Sequence, residues 1–148
     1  MRITTVTRDD LPQVVELVEK VSEAAIFPHF SDVGRQTFAR KVLPDVETVF
    51  DPTAFYTVKM EVQGKVIGFG ALRDGEYITH LFVDMAAQGH GWGKALLQHL
   101  LGHSQVPSVR LRASVNAVAF YASQGFEATG DEAEMSGIRF VPMCWSRS

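Results

Sequence analysis

The sequence predicts a single α/β domain with a mixed, mostly antiparallel sheet flanked by helices. Three observations predict this fold class: two helical runs follow a short first strand, three strand-like segments in hairpins come next, and helices then alternate with strands. The chain has 148 residues, of which 46% are hydrophobic and 21% charged, as is typical of one soluble globular domain. Because no linker, repeat or low-complexity stretch interrupts it, residues 1–148 are expected to form one domain.

The composition also narrows the classes of function. The formal net charge is −3, so there is no general basic field for nucleic acid or an anionic membrane. The single cysteine, Cys144, has no partner for an internal disulfide, and no apolar run is long enough to span a bilayer. The N-terminus lacks the apolar stretch of a signal peptide. We expect a cytoplasmic protein with no nucleic-acid or membrane partner, and the sequence leaves a homodimer open.

Local signals define the N-terminal elements. After a short first strand, Asp9 or Asp10 is placed to cap a helix. That helix has apolar residues at helical spacing, namely Leu11, Val14, Val15, Val18 and Val21. An aromatic-rich stretch breaks it. A second helix is predicted to start after Ser31 or Asp32 and to stop before Pro44.

The middle of the chain reads as three strands over 54–62, 66–72 and 77–83, and the Asp74-Gly75 pair marks the second hairpin turn. A glycine-rich loop and a helix near residues 94–101 follow.

The C-terminal part reads as a strand over 108–114, a short helix over 116–124 closed by a glycine, and weaker strands at 126–130 and 138–145. The strand, loop, helix and strand around the glycines predict a right-handed parallel crossover.

The glycine-rich loop predicts an anion site. Gly89, Gly91 and Gly93 lie within five residues, directly after a strand and directly before a helix. At such a position free backbone N–H groups and the positive end of the helix dipole point at one place. The natural ligand is a phosphate or a pyrophosphate.

Two nucleotide-binding patterns fail at defined residues. A P-loop requires a glycine where Gln88 stands and a hydroxyl where Ala95 stands, so the usual magnesium ligand is missing. A dinucleotide fingerprint requires a third glycine where this chain has Leu96 or Lys94, depending on the alignment.

The loop fits a third pattern, Gln88-x-x-Gly91-x-Gly93, and on it the chain resembles the GNAT superfamily of N-acetyltransferases. The resemblance extends to "YITHLFVD" before the loop and "NAVAFYASQGF" after it. One departure is Met85, where the family often has proline. The resemblance implies a GNAT-like sheet whose central strands four and five splay apart.

The resemblance also implies the reaction, which is transfer of the acetyl group of acetyl-CoA to a primary amine by direct attack. Coenzyme A would lie with its pyrophosphate in the loop and its pantetheine arm along strand four. Two of the loop side chains, His90 and Lys94, have the alternative of being ordinary surface residues. The cofactor-binding residues carried over are Leu81, Phe82, Val83, Gln88, Gly89, His90, Gly91, Trp92, Gly93, Lys94 and Asn116.

By the same resemblance, Tyr121 is the candidate general acid for the leaving thiolate. A phenol with a pKa near 10 is protonated at neutral pH. The alternative is that Phe120 and Tyr121 are core aromatics, which helical spacing alone would favour.

The base and the acceptor stay open. Regular alternation puts Tyr77 and Thr79 on the face of strand four that carries Leu81, and Ile78 and His80 on the other. Tyr77 and Thr79 are candidates to orient a water chain. The imidazole of His80 has a suitable pKa for a base, and the alternative is that His80 is a packed histidine. The acceptor is a small-molecule or peptide amine. The substrate-cleft candidates are Phe27, Phe30, Tyr77, Thr79 and His80.

Competing interpretations are weaker. His99 and His103 have the spacing of two metal ligands on a helix, but no third ligand is evident, so no metal site is expected. A module that binds acetyl-CoA without turnover is the main alternative to an enzyme, and a nucleotide-binding protein is the third.

Overall fold

The computed structural model describes residues 1–21, 31–84, 89–135 and 138–146. Short 3₁₀ turns at Arg8–Asp10 and Val115–Ala117 precede two of the helices. The elements in chain order are β1 (Arg2–Thr5), α1 (Leu11–Val21), α2 (Asp32–Thr48), β2 (Phe55–Val62), β3 (Lys65–Arg73), β4 (Tyr77–Val83), α3 (Trp92–His103), β5 (Ser108–Ser114), α4 (Val118–Ser123), β6 (Glu127–Ala128), β7 (Ala133–Met135) and β8 (Ile138–Ser146).

The strands form one eight-stranded mixed sheet in the order β1-β2-β3-β4-β5-β8-β6, with β7 pairing β8. All strand pairs are antiparallel except β4–β5, which is parallel. Helices α1 and α2 cover one face around Phe69 and Ala71, and α3 covers the other around Met60 and Leu72. The predicted mixed α/β fold class is confirmed.

Two tight turns set the register of the β2–β3–β4 hairpins. Gln63 and Gly64 have φ of 54° and 77°, and Asp74 and Gly75 have φ of 52° and 73°. Two central residues with positive φ are what a type I′ hairpin turn requires. The predicted Asp74-Gly75 turn is therefore confirmed.

The start of α1 differs from the prediction. The helical segment begins earlier, with the 3₁₀ turn Arg8–Asp10, whose N-cap is Thr7 and neither Asp9 nor Asp10, and the backbone N–H of Thr7 donates to Asp10 Oδ2 at 2.8 Å. Asp10 thus holds the third position of a capping box. Its other carboxylate oxygen accepts from Lys59 Nζ on β2 at 2.8 Å, which ties the helix start to the sheet.

The predicted end of α2 before Pro44 is also wrong, because the helix continues through the proline to Thr48. Proline in a helix interior removes a hydrogen bond and crowds the preceding turn. Here Val46 of the last turn and Val49, directly after the helix, are buried against α1 and β3. Thr48 Oγ1 donates to the Pro44 carbonyl at 2.8 Å. Burial of the two valines offsets the cost of the proline.

Helix α3 lies unusually close to β3. A Cβ built on Gly70 would lie 2.9 Å from Leu100 Cδ1, and one on Gly68 would lie 3.5 Å from Leu96 Cδ2. Glycine at these positions lets the leucines of α3 approach the strand backbone. None of the helices in the described ranges has the length and apolar character needed to cross a bilayer.

Candidate active site

The loop before α3 requires glycine for conformational reasons at two positions. Gly89 has φ of 92° and Gly91 has φ of 74°, both in the left-handed region. A Cβ at either position would meet nothing within 4 Å, so open space surrounds both. Gly91 is the N-cap of α3, and its carbonyl accepts from Ala95 N at 3.0 Å. Gln88 lies outside the described residues.

The first turn of α3 has backbone features that suit an anion. The first N–H groups of a helix have no intrahelical acceptor, and the helix dipole adds partial positive charge there. His90 and Lys94 are both exposed beside this turn, and the His90 ring stacks on Trp92 with centroids 4.6 Å apart. Trp92 packs against the core under α3. The turn is suited to phosphate oxygens.

Gly93 lies where three elements come together. A Cβ there would lie 3.7 Å from Phe120 Cζ and 3.9 Å from Val83 Cγ2. The start of α3, the end of β4 and α4 therefore meet at Gly93. A larger side chain would occupy the space between these three elements.

Strands β4 and β5 separate next to this point. Only Tyr77–Arg110 and Ile78–Leu111 are paired, and Arg110 N donates to the Glu76 carbonyl at 3.0 Å. Beyond Ile78 the described strands share no further bridge. We call this gap the opening. The partly buried β4 residues Leu81, Phe82 and Val83 border it.

A β-bulge in β4 overturns the predicted alternation of faces. Ala71 pairs with His80 while Leu72 pairs with Ile78, so Thr79 is an extra residue. Ile78 consequently shares the α3 face with Leu81 and Val83.

Phe82 packs on the α1 side, and His80 contacts the Phe69 and Phe82 rings at centroid distances of 5.4 and 6.1 Å. Tyr77 also lies on the α1 side, under the Arg73 guanidinium at 4.7 Å. It therefore does not share the face of Leu81 as expected.

His80 is suited to packing more than to proton transfer. Burial lowers the pKa of His80 to about 4, so its ring is neutral near pH 7. Nδ1 lies 2.9 Å from Thr79 Oγ1, and the two side chains satisfy one another. An imidazole with so low a pKa accepts a proton poorly at neutral pH.

Tyr121 lies in α4 in an apolar environment. It is 8% exposed and makes edge contacts with Phe120 and Phe126, at centroid distances of 5.2 and 5.5 Å. Burial raises the pKa of Tyr121 well above its ordinary value, so the phenol keeps its proton at neutral pH. No other described residue forms a hydrogen bond with its hydroxyl. Its neighbour Phe120 contacts Gly93, which puts α4 beside the start of α3.

The remaining predicted residues are dispersed. Asn116 is exposed in the turn after β5, and its Oδ1 accepts from Ser114 Oγ at 2.9 Å. Phe27 and Phe30 lie outside the described residues. Cys144 is half-buried on β8.

His99 and His103 of α3 both contact Tyr56 of β2, which their spacing in the sequence does not indicate. Tyr56 Oη lies 2.7 Å from His99 Nε2, and the Tyr56 ring stacks on His103 at 3.5 Å. In the described part of the chain, no three histidine, cysteine or carboxylate side chains converge as metal ligands would. The histidines join α3 to β2.

Sequence reasoning missed an ion pair next to the loop, formed by a buried carboxylate and an exposed lysine. Asp84, at the end of β4, has only 4% of its side chain exposed, and its Oδ2 accepts from Lys20 Nζ of α1 at 3.1 Å. Its N–H also donates to the Ile67 carbonyl at 2.7 Å. The sequence marks Asp84 only as the last residue of "YITHLFVD". The ion pair itself has no local signal, because Lys20 is 64 residues away in the chain.

Comparison with solved structures supports the fold. A GCN5-related N-acetyltransferase from Rhodopseudomonas palustris superposes with a TM-score of 0.82 at 19% identity, over 99% of this chain and 95% of that one. The PaiA N-acetyltransferase from Thermoplasma acidophilum, solved in complex with coenzyme A, gives 0.79 at 16% identity, over 99% and 98%.

Sequence relatives point to the same family. Peptidyl-lysine N-acetyltransferase YjaB of Salmonella typhimurium is 33% identical over 94 residues, which are 62% of this chain and 63% of the relative. The chain thus spans less than two thirds of that protein. Peptidyl-lysine N-acetyltransferase YiaC of Escherichia coli is 28% identical over 120 residues, or 80% and 78%. The model of the acetyltransferase (GNAT) domain matches residues 26–147, and the chain therefore belongs to the GNAT acetyltransferase family.

Proposed function

We propose that this chain is an acetyl-CoA-dependent N-acetyltransferase whose acceptor is the side-chain amine of a peptidyl lysine. The observation that carries the proposal is the placement of the opening between β4 and β5 directly beside the anion site at the start of α3. The lysine acceptor is supported by two sequence relatives, which are named peptidyl-lysine N-acetyltransferases.

The described residues fit coenzyme A. Backbone N–H groups from Gly91 to Lys94 would hold its phosphates, since Gly89 and Gly91 leave the space above them free. The unpaired edge of β4 over Leu81–Val83 would meet the pantetheine arm as an added strand does. When bound, acetyl-CoA supplies an acetyl group on a thioester.

Tyr121 would hold the proton that a leaving thiolate takes up. Its hydroxyl is protonated at neutral pH because burial raises its pKa. Burial alone would make the phenol a weaker acid, but an apolar environment raises the pKa of a thiol too. Burial would thus shift both pKa values in the same direction, which favours proton transfer over the case in which only the phenol is shifted.

The backbone of β4 and solvent supply the remaining requirements. An N–H at the unpaired edge near Leu81–Val83 would stabilise the developing negative charge on the carbonyl oxygen, an interaction typically worth a few kcal/mol. We assign deprotonation of the amine to solvent water, since His80 has a pKa of about 4.

Binding and turnover test the proposal separately. Coenzyme A should raise the melting temperature, by a stabilisation of about 2.7 kcal/mol at a hundredfold excess over Kd. Incubation with acetyl-CoA and lysine-containing peptides should release free thiol and add one acetyl group to lysine by mass spectrometry. Peptides with arginine in place of lysine serve as the control.

The possible failures are distinct. Absence of coenzyme A binding would contradict the assignment of the loop. Binding without acetylation of any peptide or small amine would favour a regulatory module. Acetylation of small amines alone would keep the enzyme and reject the lysine acceptor.

A further inference from the structure

The sheet face opposite α3 carries a row of exposed arginines beside the opening. We call Arg73 of β3, and Arg110 and Arg112 of β5, the arginine row. Their chain neighbours Leu72 and Leu111 are buried on the α3 side, so the arginine side chains project from the other face. The row stands out because the whole chain has a formal net charge of −3.

Aromatic rings support the guanidinium groups. Tyr77 of β4 lies between two of the arginines. Its ring centroid is 4.7 Å from Arg73 Cζ on β3 and 5.9 Å from Arg110 Cζ on β5. Arg112 Cζ lies 4.6 Å from the Phe140 centroid. Such contacts restrict an arginine while leaving N–H donors for a carboxylate.

Among the described residues one ion pair involves the row, and the register places one more exposed carboxylate, Glu127, on its face, two strands from Arg110. Glu76 Oε1 lies 3.7 Å from Arg110, and both side chains are more than half exposed. Arg73 and Arg112 form no ion pair within the described ranges. On the neighbouring β7–β8 hairpin, Glu132 is paired with Arg139.

The row leads along the sheet to the opening. Arg110 belongs to one of the two bridged pairs that join β4 to β5, and Arg112 is two residues further along β5, where the strands have separated. The anion site at the start of α3 belongs to the helix on the opposite face. The arginine row and the phosphate-binding turn are therefore distinct regions.

We propose that the arginine row binds carboxylate side chains that flank the acceptor lysine, so that the preferred substrate is a lysine in an acidic peptide segment. This inference rests on the proposed function. An amine entering the opening from the α1 side brings its neighbouring residues over β5. Arginine favours carboxylates through paired, charge-assisted hydrogen bonds.

Kinetics with matched peptides test the inference. Three peptides of equal length carry one lysine flanked by glutamates, by glutamines or by arginines at the same positions. An exposed ion pair contributes about 0.2–1 kcal/mol, which is about 1.4- to 5-fold in affinity. Two flanking glutamates can each form such a pair, and their factors multiply to about 2- to 25-fold. We therefore expect the KM of the glutamate peptide to be about five- to tenfold lower than that of the glutamine peptide, and the difference to shrink at high salt.

Variants locate the effect. Arg112→Gln and Arg73→Gln should each reduce the preference for the glutamate peptide while leaving acetyl-CoA affinity unchanged. Arg2→Gln is the matched control, because Arg2 is an exposed arginine on the edge strand β1, two strands away from Arg73 and four from Arg112. This control should retain the full preference.

The outcomes separate the two proposals. Equal KM values for the glutamate and glutamine peptides would overturn the arginine row while leaving the lysine acceptor intact. An equal loss of preference for the glutamate peptide in Arg2→Gln and Arg112→Gln would also overturn the proposal, because the change in net charge would then explain the loss. Failure to acetylate any lysine peptide, with acetyl-CoA still bound, would instead reject the acceptor class itself.

Discussion

The two faces of the sheet around the opening differ in their chemistry. On the α3 side the lining is apolar, with Leu81, Val83 and the buried Tyr121. On the α1 side it carries Tyr77, His80 and the arginine row. The apolar face suits a group that must be kept from water, and the polar face suits recognition of a solvated partner. In the proposed function one pair of strands would serve two tasks, because each strand exposes a different set of side chains on each face.

The largest expected effect comes from placing a charge at the anion site of the α3 side. Gly91→Asp should reduce coenzyme A affinity at least about a hundredfold, which corresponds to about 2.7 kcal/mol. The carboxylate would repel the phosphates where N–H groups converge. Isothermal titration calorimetry measures the change.

Gly64→Asp is the matched control for that experiment. Gly64 has φ of 77° against 74° for Gly91, and neither has an atom within 4 Å of a built Cβ. The backbone strain is thus similar, while Gly64 lies in the β2–β3 turn. Equal losses of affinity in both variants would show that strain alone explains the effect.

Tyr121→Phe tests the proposed catalytic role of Tyr121 on the apolar face. We expect kcat to fall about a hundredfold, the lower end of the range for positioned acid catalysis, with acetyl-CoA affinity within a few-fold of the parent. Single-turnover kinetics establish whether chemistry limits the rate. Tyr56→Phe is the control, since its hydroxyl pairs with His99 on the outer part of α3. An unchanged chemical step would return Tyr121 to the core.

Gly70→Ala tests how closely the apolar face is packed. The new methyl group would lie 2.9 Å from Leu100 Cδ1, and Leu100 is fully buried. Overpacking of this kind typically costs about 1–3 kcal/mol, which urea denaturation measures. Gly102→Ala, where nothing lies within 4 Å, should be neutral or stabilising. Similar stabilities for the two variants would refute close packing at Gly70.

The smallest effect concerns the polar face and pH. Unfolded histidine has a pKa of about 6.5, whereas burial lowers that of folded His80 to about 4. Below pH 6.5 the unfolded state binds a proton that the folded state excludes, so stability falls as pH drops from 6.5 to 4. His80→Gln should weaken this dependence, measured as the change in Tm between pH 7 and 4.5.

His90→Gln is the control for the pH experiment, since it removes an exposed imidazole from the loop. It should keep the parental pH dependence. The same slope in parent and His80→Gln would mean that His80 is accessible to water in the folded protein.

The sequence predicts the hairpins and the loop better than the faces of β4. The bounds of β4 agree residue for residue, because a turn and a glycine loop delimit it. The bulge at Thr79 has no signal in the sequence, since "YITHLFV" is compatible with a regular strand and with a strand that has one extra residue. As a result, Ile78 and Tyr77 were assigned to the wrong faces.

Other features depend on contacts distant in the chain. Regular alternation in "SVRLRAS" predicts that Arg110 and Arg112 share a face, but only the register of the sheet adds Arg73. Continuation of α2 through Pro44 depends on burial of Val46 and Val49, which local propensity does not include. Tyr121 stayed ambiguous because core and catalytic tyrosines have the same helical spacing.

The two bridged pairs between β4 and β5 also make the sheet mechanically divided. Strands β1–β4 form one part of the sheet, and β5, β8 and β6 form the other. The two bridged pairs are the hinge between these parts. Cooperative units separate where few hydrogen bonds cross a boundary, so this hinge is the natural line of sub-global opening. A ligand that hydrogen-bonds to both strand edges would hold the two parts of the sheet together. It would therefore slow amide exchange in both parts, although it contacts only the facing edges of β4 and β5.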